Sequence, residues 1–161
     1  MVIKISRSKF NVSKNTASRT YNGIVFDSGM EMKYYRDVVL PQAGSGEILE
    51  YELQKPYTLQ PKFIRDNKTV QPIIYVADFF IRCKDGSEAV IDVKGCPDNT
   101  AKLKRKLFWY NYPDIDYRWV CLSVIDGGWR DYSYVEKQRG ERKKNNKKPE
   151  GNILCQNKQP H

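Results

Sequence analysis

The reading of the fold turns on residues 73–94, IIYVADFFIRCKDGSEAVIDVK. Ile73 to Arg82 is a run of β-branched and aromatic residues, and Glu88 to Lys94 is a second. Between them Lys84-Asp85-Gly86-Ser87 supplies turn chemistry, so the stretch predicts a β-hairpin. Each strand carries a carboxylate among apolar neighbours: Asp78 between Ala77 and Phe79, Asp92 between Ile91 and Val93. Side chains alternate along a strand, so Asp92 and Lys94 face one side while Val93 faces the other. A buried charge costs several kcal/mol unless it is paired or holds a metal, and two converging carboxylates repel. A divalent cation resolves both conflicts. Mg²⁺ takes oxygen ligands, commonly one or two carboxylates, and keeps several waters.

Upstream, Ser28-Gly29-Met30-Glu31 has the spacing of a capping box, with Ser at the N-cap and Glu three residues later. The helix it predicts, about 29–40, aligns Met30, Tyr34 and Val38 beside Met32, Tyr35 and Val39. Pro41 and Gly44-Ser45-Gly46 are expected to end it. Residues 48–53 read as a strand, and 57–59 and 62–64 as further extended pieces broken by Pro56 and Pro61. Asp66-Asn67-Lys68 is a turn.

Downstream, Gly95 to Asp98 closes the hairpin, and Asp98 suits a turn better than a site. Residues 99–110 have helical spacing, with Leu103, Leu107 and Tyr110 on one face and Lys102, Lys104, Arg105 and Lys106 around it. Those four cations follow the hairpin closely and suit contacts to phosphate; the plainer alternative is a solvated basic face. Residues 117–124 form another strand, and a Gly127-Gly128 turn leads to a short element at 131–137. The order predicts one α/β domain around a mixed sheet flanked by helices, spanning 20–136. Residues 1–19 read as a flexible basic arm, and 137–161 as a disordered basic tail.

Composition narrows the class. The chain has 161 residues and a net charge of +9, carried largely by its ends. Lys4, Arg7, Lys9, Lys14 and Arg19 precede the first acid, Asp27, and most of the remaining excess lies beyond residue 136. Such arms favour polyanions, nucleic acid first. No apolar run approaches the ~18 residues of a membrane span, and the opening MVIKISRSKFNVSKN lacks a secretory core, so a cytoplasmic protein with reduced thiols is expected. Cys83, Cys96, Cys121 and Cys155 form no C-x-x-C pair and the sole histidine is His161, which argues against zinc and against His-based catalysis. Any catalysis therefore falls to carboxylates and lysine.

Asp78, then Asp92-x-Lys94, with Glu31 on the preceding helix, resembles the signature of the PD-(D/E)XK nuclease superfamily. The wider string FDSGMEMKYY, LQP, YVADFF and IDVKG is similar to small phage-encoded endonucleases of the Holliday-junction-resolvase type, over about residues 21–112. Ala77 stands where the name-giving proline would be. The resemblance implies a restriction-endonuclease-like domain that hydrolyses phosphodiesters in branched DNA, as a homodimer in the host cytoplasm. It implies that Asp78, Asp92 and the Val93 carbonyl hold Mg²⁺ or Mn²⁺, with Glu31 as a further ligand. It also implies that Lys94 positions or deprotonates the attacking water, or offsets phosphate charge, and that Gln54 supports the site. Other substrates (flaps, nicks, duplex sites) and an inactive DNA-binding module remain open alternatives. Each residue also has a structural role to weigh: Glu31 in the capping box, Asp78 paired with Arg82 or Lys84, Asp92 paired with Lys94, Gln54 as an ordinary strand residue. For a dimer surface, the helix at 29–40 and the strand at 117–124 are the expected candidates.

Overall fold

The computed structural model describes residues 16–146, so the expectations for residues 1–15 and 147–161 lie outside it. A 3-10 turn, Thr16–Arg19, opens the described chain where an unstructured arm was expected. A small antiparallel pair follows, β1 (Thr20–Tyr21) and β2 (Ile24–Val25). α1 (Gly29–Tyr34) begins at Ser28, whose hydroxyl accepts from the Glu31 N–H. A π-helical turn, Tyr35–Val39, then carries the chain into α2 (Leu40–Gly44). The helix thus outruns Pro41. The wide turn bonds Leu40 N–H to the Tyr35 carbonyl, and Pro41 falls in the first turn of α2, where a missing N–H costs little.

The remaining elements are β3 (Ile48–Gln60), β4 (Phe63–Arg65), β5 (Lys68–Val70), β6 (Ile73–Cys83), β7 (Glu88–Val93), α3 (Asn99–Asn111), β8 (Asp116–Ser123), β9 (Gly128–Asp131) and α4 (Tyr132–Asn145). β3 is one strand rather than two pieces. It forms an edge of the main sheet, and a proline is tolerated where the ladder has an open side. The sheet order is β3-β6-β7-β8-β9; only β7 and β8 run parallel, joined through α3, and β4 pairs with β5 alone.

The sheet lies between two cores. On one face Phe26, Tyr34, Tyr35 and Val39 pack on Phe79, Ile81, Ile91 and Val93. On the other, Phe108 of α3 and Tyr132 and Val135 of α4 pack with Tyr57, Tyr75, Val90, Tyr117 and Trp119. Phe108 sits at the centre of this aromatic cluster, 4.7 Å from the Tyr117 ring and 5.0 Å from that of Tyr57. Of the stripe expected on α3, Leu107 alone packs against the core. Leu103 and Tyr110 are exposed, while Phe108 is fully buried.

α4 occupies residues that were expected to be a disordered tail from 137 onward. Its first turn is fixed by the Asp131 cap and by buried Tyr132 and Val135. Farther along, Arg142 grips Asp126 with both guanidinium nitrogens, at 2.7 and 3.1 Å. Both elements expected to carry a dimer surface also pack within the chain. Tyr34, Tyr35 and Val39 are buried on the sheet, and β8 lies inside it between β7 and β9.

β3 and β6 change layers partway along. Tyr51 and Leu53 face the α1 core, whereas Tyr57 and Leu59 face the α3 core; in β6, Phe79 and Ile81 face the first and Tyr75 and Ala77 the second. The pairs Leu53 with Phe79 and Lys55 with Ala77 bracket the crossing, so Gln54 stands opposite Asp78. Gln54 adopts a φ of 54°, a left-handed conformation that breaks the alternation within an otherwise continuous strand.

Candidate active site

The β6–β7 ladder ends at Phe79 opposite Ile91. Beyond that pair Asp78 continues the connection with its side chain, accepting a hydrogen bond from Val93 N–H at 2.8 Å. The parted strands therefore place Asp78 and Asp92 at one spot, each still anchored in the sheet. Asp92 is 1% exposed, which makes it one of the two buried polar residues among those described. Its Oδ2 accepts from Lys94 Nζ at 2.8 Å and from the Tyr117 hydroxyl at 2.9 Å. Trp119 Nε1 in turn donates to the Tyr117 oxygen at 2.8 Å.

Glu31, the other buried acid, comes from α1, which packs on β7. Its Oε1 accepts from the Ser28 hydroxyl at 2.7 Å. The capping role is thus partly realised: Ser28 caps α1, and the Glu31 side chain returns to the Ser28 hydroxyl. Two carboxylate oxygens remain buried with no hydrogen-bond partner, Glu31 Oε2 and Asp92 Oδ1. Unpartnered buried carboxylate oxygens are costly and rare in folded proteins.

The electrostatics describe one cluster. Burial, with the charges of Asp27 and Asp92 adding to it, pushes Glu31 up to about 7 against the pull of Ser28 and Lys94. Burial, then Asp92 and Glu31, holds Asp78 well above the carboxylate range, although Lys94 and the Val93 N–H oppose this. Burial alone would pull the Lys94 ammonium down; Asp92, Asp78 and Glu31 outweigh it and keep it raised. Tyr117 is raised by burial and by Asp92, so it stays a hydrogen-bond donor at neutral pH.

The alternatives for these residues divide. Arg82 is engaged by Glu50 and Glu88, not Asp78. The Asp92–Lys94 pair does form. Gln54 is no ordinary strand residue, given its left-handed backbone opposite Asp78. Asp98 serves as the α3 N-cap, accepting from Ala101 N–H at 2.7 Å.

The basic helix divides as well. Lys102 and Lys106 are exposed. Lys104 donates to the Ile74 carbonyl at 2.8 Å. The Arg105 guanidinium sits between the Trp109 and Trp119 rings, at 4.4 and 4.3 Å, as a flat cation stacks on aromatic faces. Of the four cations expected to meet phosphate, Lys104 thus ties α3 to β6 and Arg105 stacks on aromatic rings, while Lys102 and Lys106 are exposed.

Among the described residues no group of three or more His, Cys, Asp or Glu side chains is already set to hold a metal ion. The donor chemistry nevertheless fits a hard divalent cation: all oxygen, with two buried oxygens lacking partners. Asp78, Asp92 and Glu31 are the residues able to hold it. Tyr117 and Trp119 escaped the sequence reading. They reach Asp92 through the parallel β7–β8 pairing, in which Trp119 lies opposite Asp92, and no local pattern announces that register.

Residues 7–126 match the family described as "Protein of unknown function (DUF1064)". The chain belongs to that family. The matched stretch holds Glu31, Asp78, Asp92, Lys94 and Tyr117, and it ends before β9 and α4. No curated protein and no solved structure matches the chain.

Proposed function

We propose that the protein is a metal-dependent DNA endonuclease that hydrolyses phosphodiester bonds in branched DNA, working as a homodimer in the manner of Holliday-junction resolvases. The observation that carries this reading is the pair of buried, unpartnered oxygens, Glu31 Oε2 and Asp92 Oδ1, in a cluster completed by Asp78 and Lys94. Branched DNA as the substrate rests on the resemblance of the sequence to the resolvase type.

Asp78, Asp92 and Glu31 would hold Mg²⁺ or Mn²⁺. When bound, such an ion lowers the pKa of a coordinated water and offsets charge on the reacting phosphate. The protein's own residues do the rest. Val93 N–H fixes the Asp78 carboxylate, and Tyr117 with Lys94 fixes that of Asp92. Lys94, paired with Asp92 and flanked by Asp78 and Glu31, would present a point charge to a phosphate oxygen or position the attacking water.

The test compares wild type with Asp78→Asn on labelled four-way junction, flap, nicked and linear duplex DNA, with Mg²⁺ or Mn²⁺ and with EDTA. Asn keeps an acceptor for Val93 N–H but removes the charge. Cleavage by wild type is expected only with metal and preferentially on the junction, and Asp78→Asn abolishes it. In metal-free buffer Asp78→Asn melts higher than wild type, because it relieves carboxylate repulsion, and it loses the metal-induced rise in Tm. Equal cleavage by the two proteins would remove Asp78 from the chemistry. Preference for a flap or a nick would reassign the substrate, and binding without cleavage would leave a DNA-binding module.

A further inference from the structure

We propose that the β4–β5 hairpin is a DNA-gripping finger, which holds a duplex arm at a distance from the cluster around Asp78. The proposal deepens the nuclease reading and rests on it for the position of the cut phosphate; the grip itself is judged by binding alone.

The hairpin caps the end of the long β3–β6 ladder and pairs only with itself. Its tip, Asp66-Asn67, has φ values of 49° and 56°, the two consecutive left-handed residues of a tight primed turn. The register places Phe63 opposite Val70 and Arg65 opposite Lys68, so these four share one face. All three residues of β4 are exposed; Phe63 retains 44% of its surface and Ile64 75%.

This face is unusual in two respects. First, a cross-strand pair of cations repels itself and weakens a short hairpin. Asp66 answers it only in part, 3.7 Å from Arg65 Nε with both side chains largely in solvent. Second, the cations adjoin an aromatic ring that the fold leaves nearly half uncovered. A phosphodiester backbone satisfies both. Phosphate relieves the repulsion between Arg65 and Lys68, while sugar and base edges cover Phe63. Lys62, beside the hairpin, adds a further positive charge.

β6 leads from the hairpin to Asp78. At about 3.3 Å per residue, Ile73 lies about 17 Å from Asp78 along the strand. On duplex DNA, at about 3.4 Å per base pair, the start of β6 stands about 5 base pairs from the cut phosphate.

The experiment measures fluorescence anisotropy of labelled linear duplex and four-way junction in EDTA, at several salt concentrations. It compares the full wild-type chain with Arg65→Gln/Lys68→Gln and with Phe63→Ser. All three substitutions are on exposed residues, and unchanged Tm confirms that the variants fold. The double variant should bind about tenfold more weakly and lose about 2 from the slope of log K against log salt. Phe63→Ser should weaken binding with the slope unchanged. Wild-type affinity in the double variant, or no binding by wild type, would overturn the finger. A change in sedimenting mass with DNA affinity intact would make the hairpin a contact between copies, and would overturn it too. Loss of binding by the variants of a protein that cleaves no DNA would uphold the finger while the nuclease reading falls.

Discussion

Tyr117 holds Asp92 from within the sheet, and Trp119 holds Tyr117. The three form a buried chain, Trp119 Nε1 to Tyr117 oxygen to Asp92 Oδ2, that directs the other oxygen of Asp92 away from any partner. Groups that orient a ligand in this way commonly change metal affinity by about 10–100-fold when removed. Tyr117→Phe should therefore weaken Mn²⁺ binding by about that factor in titration calorimetry, with a stability cost of only about 1 kcal/mol in urea unfolding. A large stability loss with unchanged Mn²⁺ affinity would make Tyr117 a packing residue. Asp78, Asp92 and Lys94 were legible in the sequence because charge in an apolar strand is visible locally, and Glu31 because the string around it resembles the nuclease signature. Tyr117 was not, because α3 separates β7 from β8 and only their parallel pairing brings it to Asp92. The strain at Gln54 was hidden for a related reason. A left-handed backbone normally announces itself by glycine, and here a glutamine of an edge strand is held there by the β3–β6 pairs before and after it. Such strain gathers at functional sites.

At the scale of elements, the hairpin, the caps and the ends of α3 read correctly, while the inward face of α3, the stop at Pro41 and the end of α4 did not. The apolar spacing of α3 chose Leu103, Leu107 and Tyr110; the fold instead turned Phe108 inward and laid Arg105 between two tryptophans. Both faces carry helical periodicity, and the aromatic cluster on the sheet decided between them. The highly charged stretch after residue 136 gave no core signal, yet α4 persists to Asn145 because Arg142 is tied back to Asp126. That tie has a pH signature. Hydrogen bonds from Arg142 and Ser123 hold Asp126 down to about 2, below its unfolded value of 3.8. A carboxylate with a depressed pKa contributes stability that is complete above the unfolded value and disappears as pH falls through the folded one. Hydrogen exchange in α4 should therefore accelerate between about pH 4 and pH 2. Arg142→Ala should show that faster exchange already at neutral pH, with β6 and β7 still protected. Equal protection of α4 in the two proteins would deny the tie its role.

At the scale of the molecule, the sheet order places the cluster where β6 and β7 part, and the β4–β5 finger at the far end of the same ladder. A junction has two opposed strands to cut, and two sites related by a two-fold axis match that symmetry. Sedimentation equilibrium of the full chain should then give twice the 18.8 kDa monomer mass. A monomer at every concentration would disfavour paired cutting and direct attention to flaps or nicks.

By itself the sequence determined the α/β class, the central hairpin, the cap of α1 and the placing of Asp78, Asp92 and Lys94 on that hairpin. Those features depend on alternation, turn chemistry and capping, which act over a few residues. Tertiary structure alone decided the β8 partners of Asp92, the inward face of α3, the left-handed turn at Gln54 and the persistence of α4. Each depends on a contact between segments far apart in the chain, whose energy no local window contains.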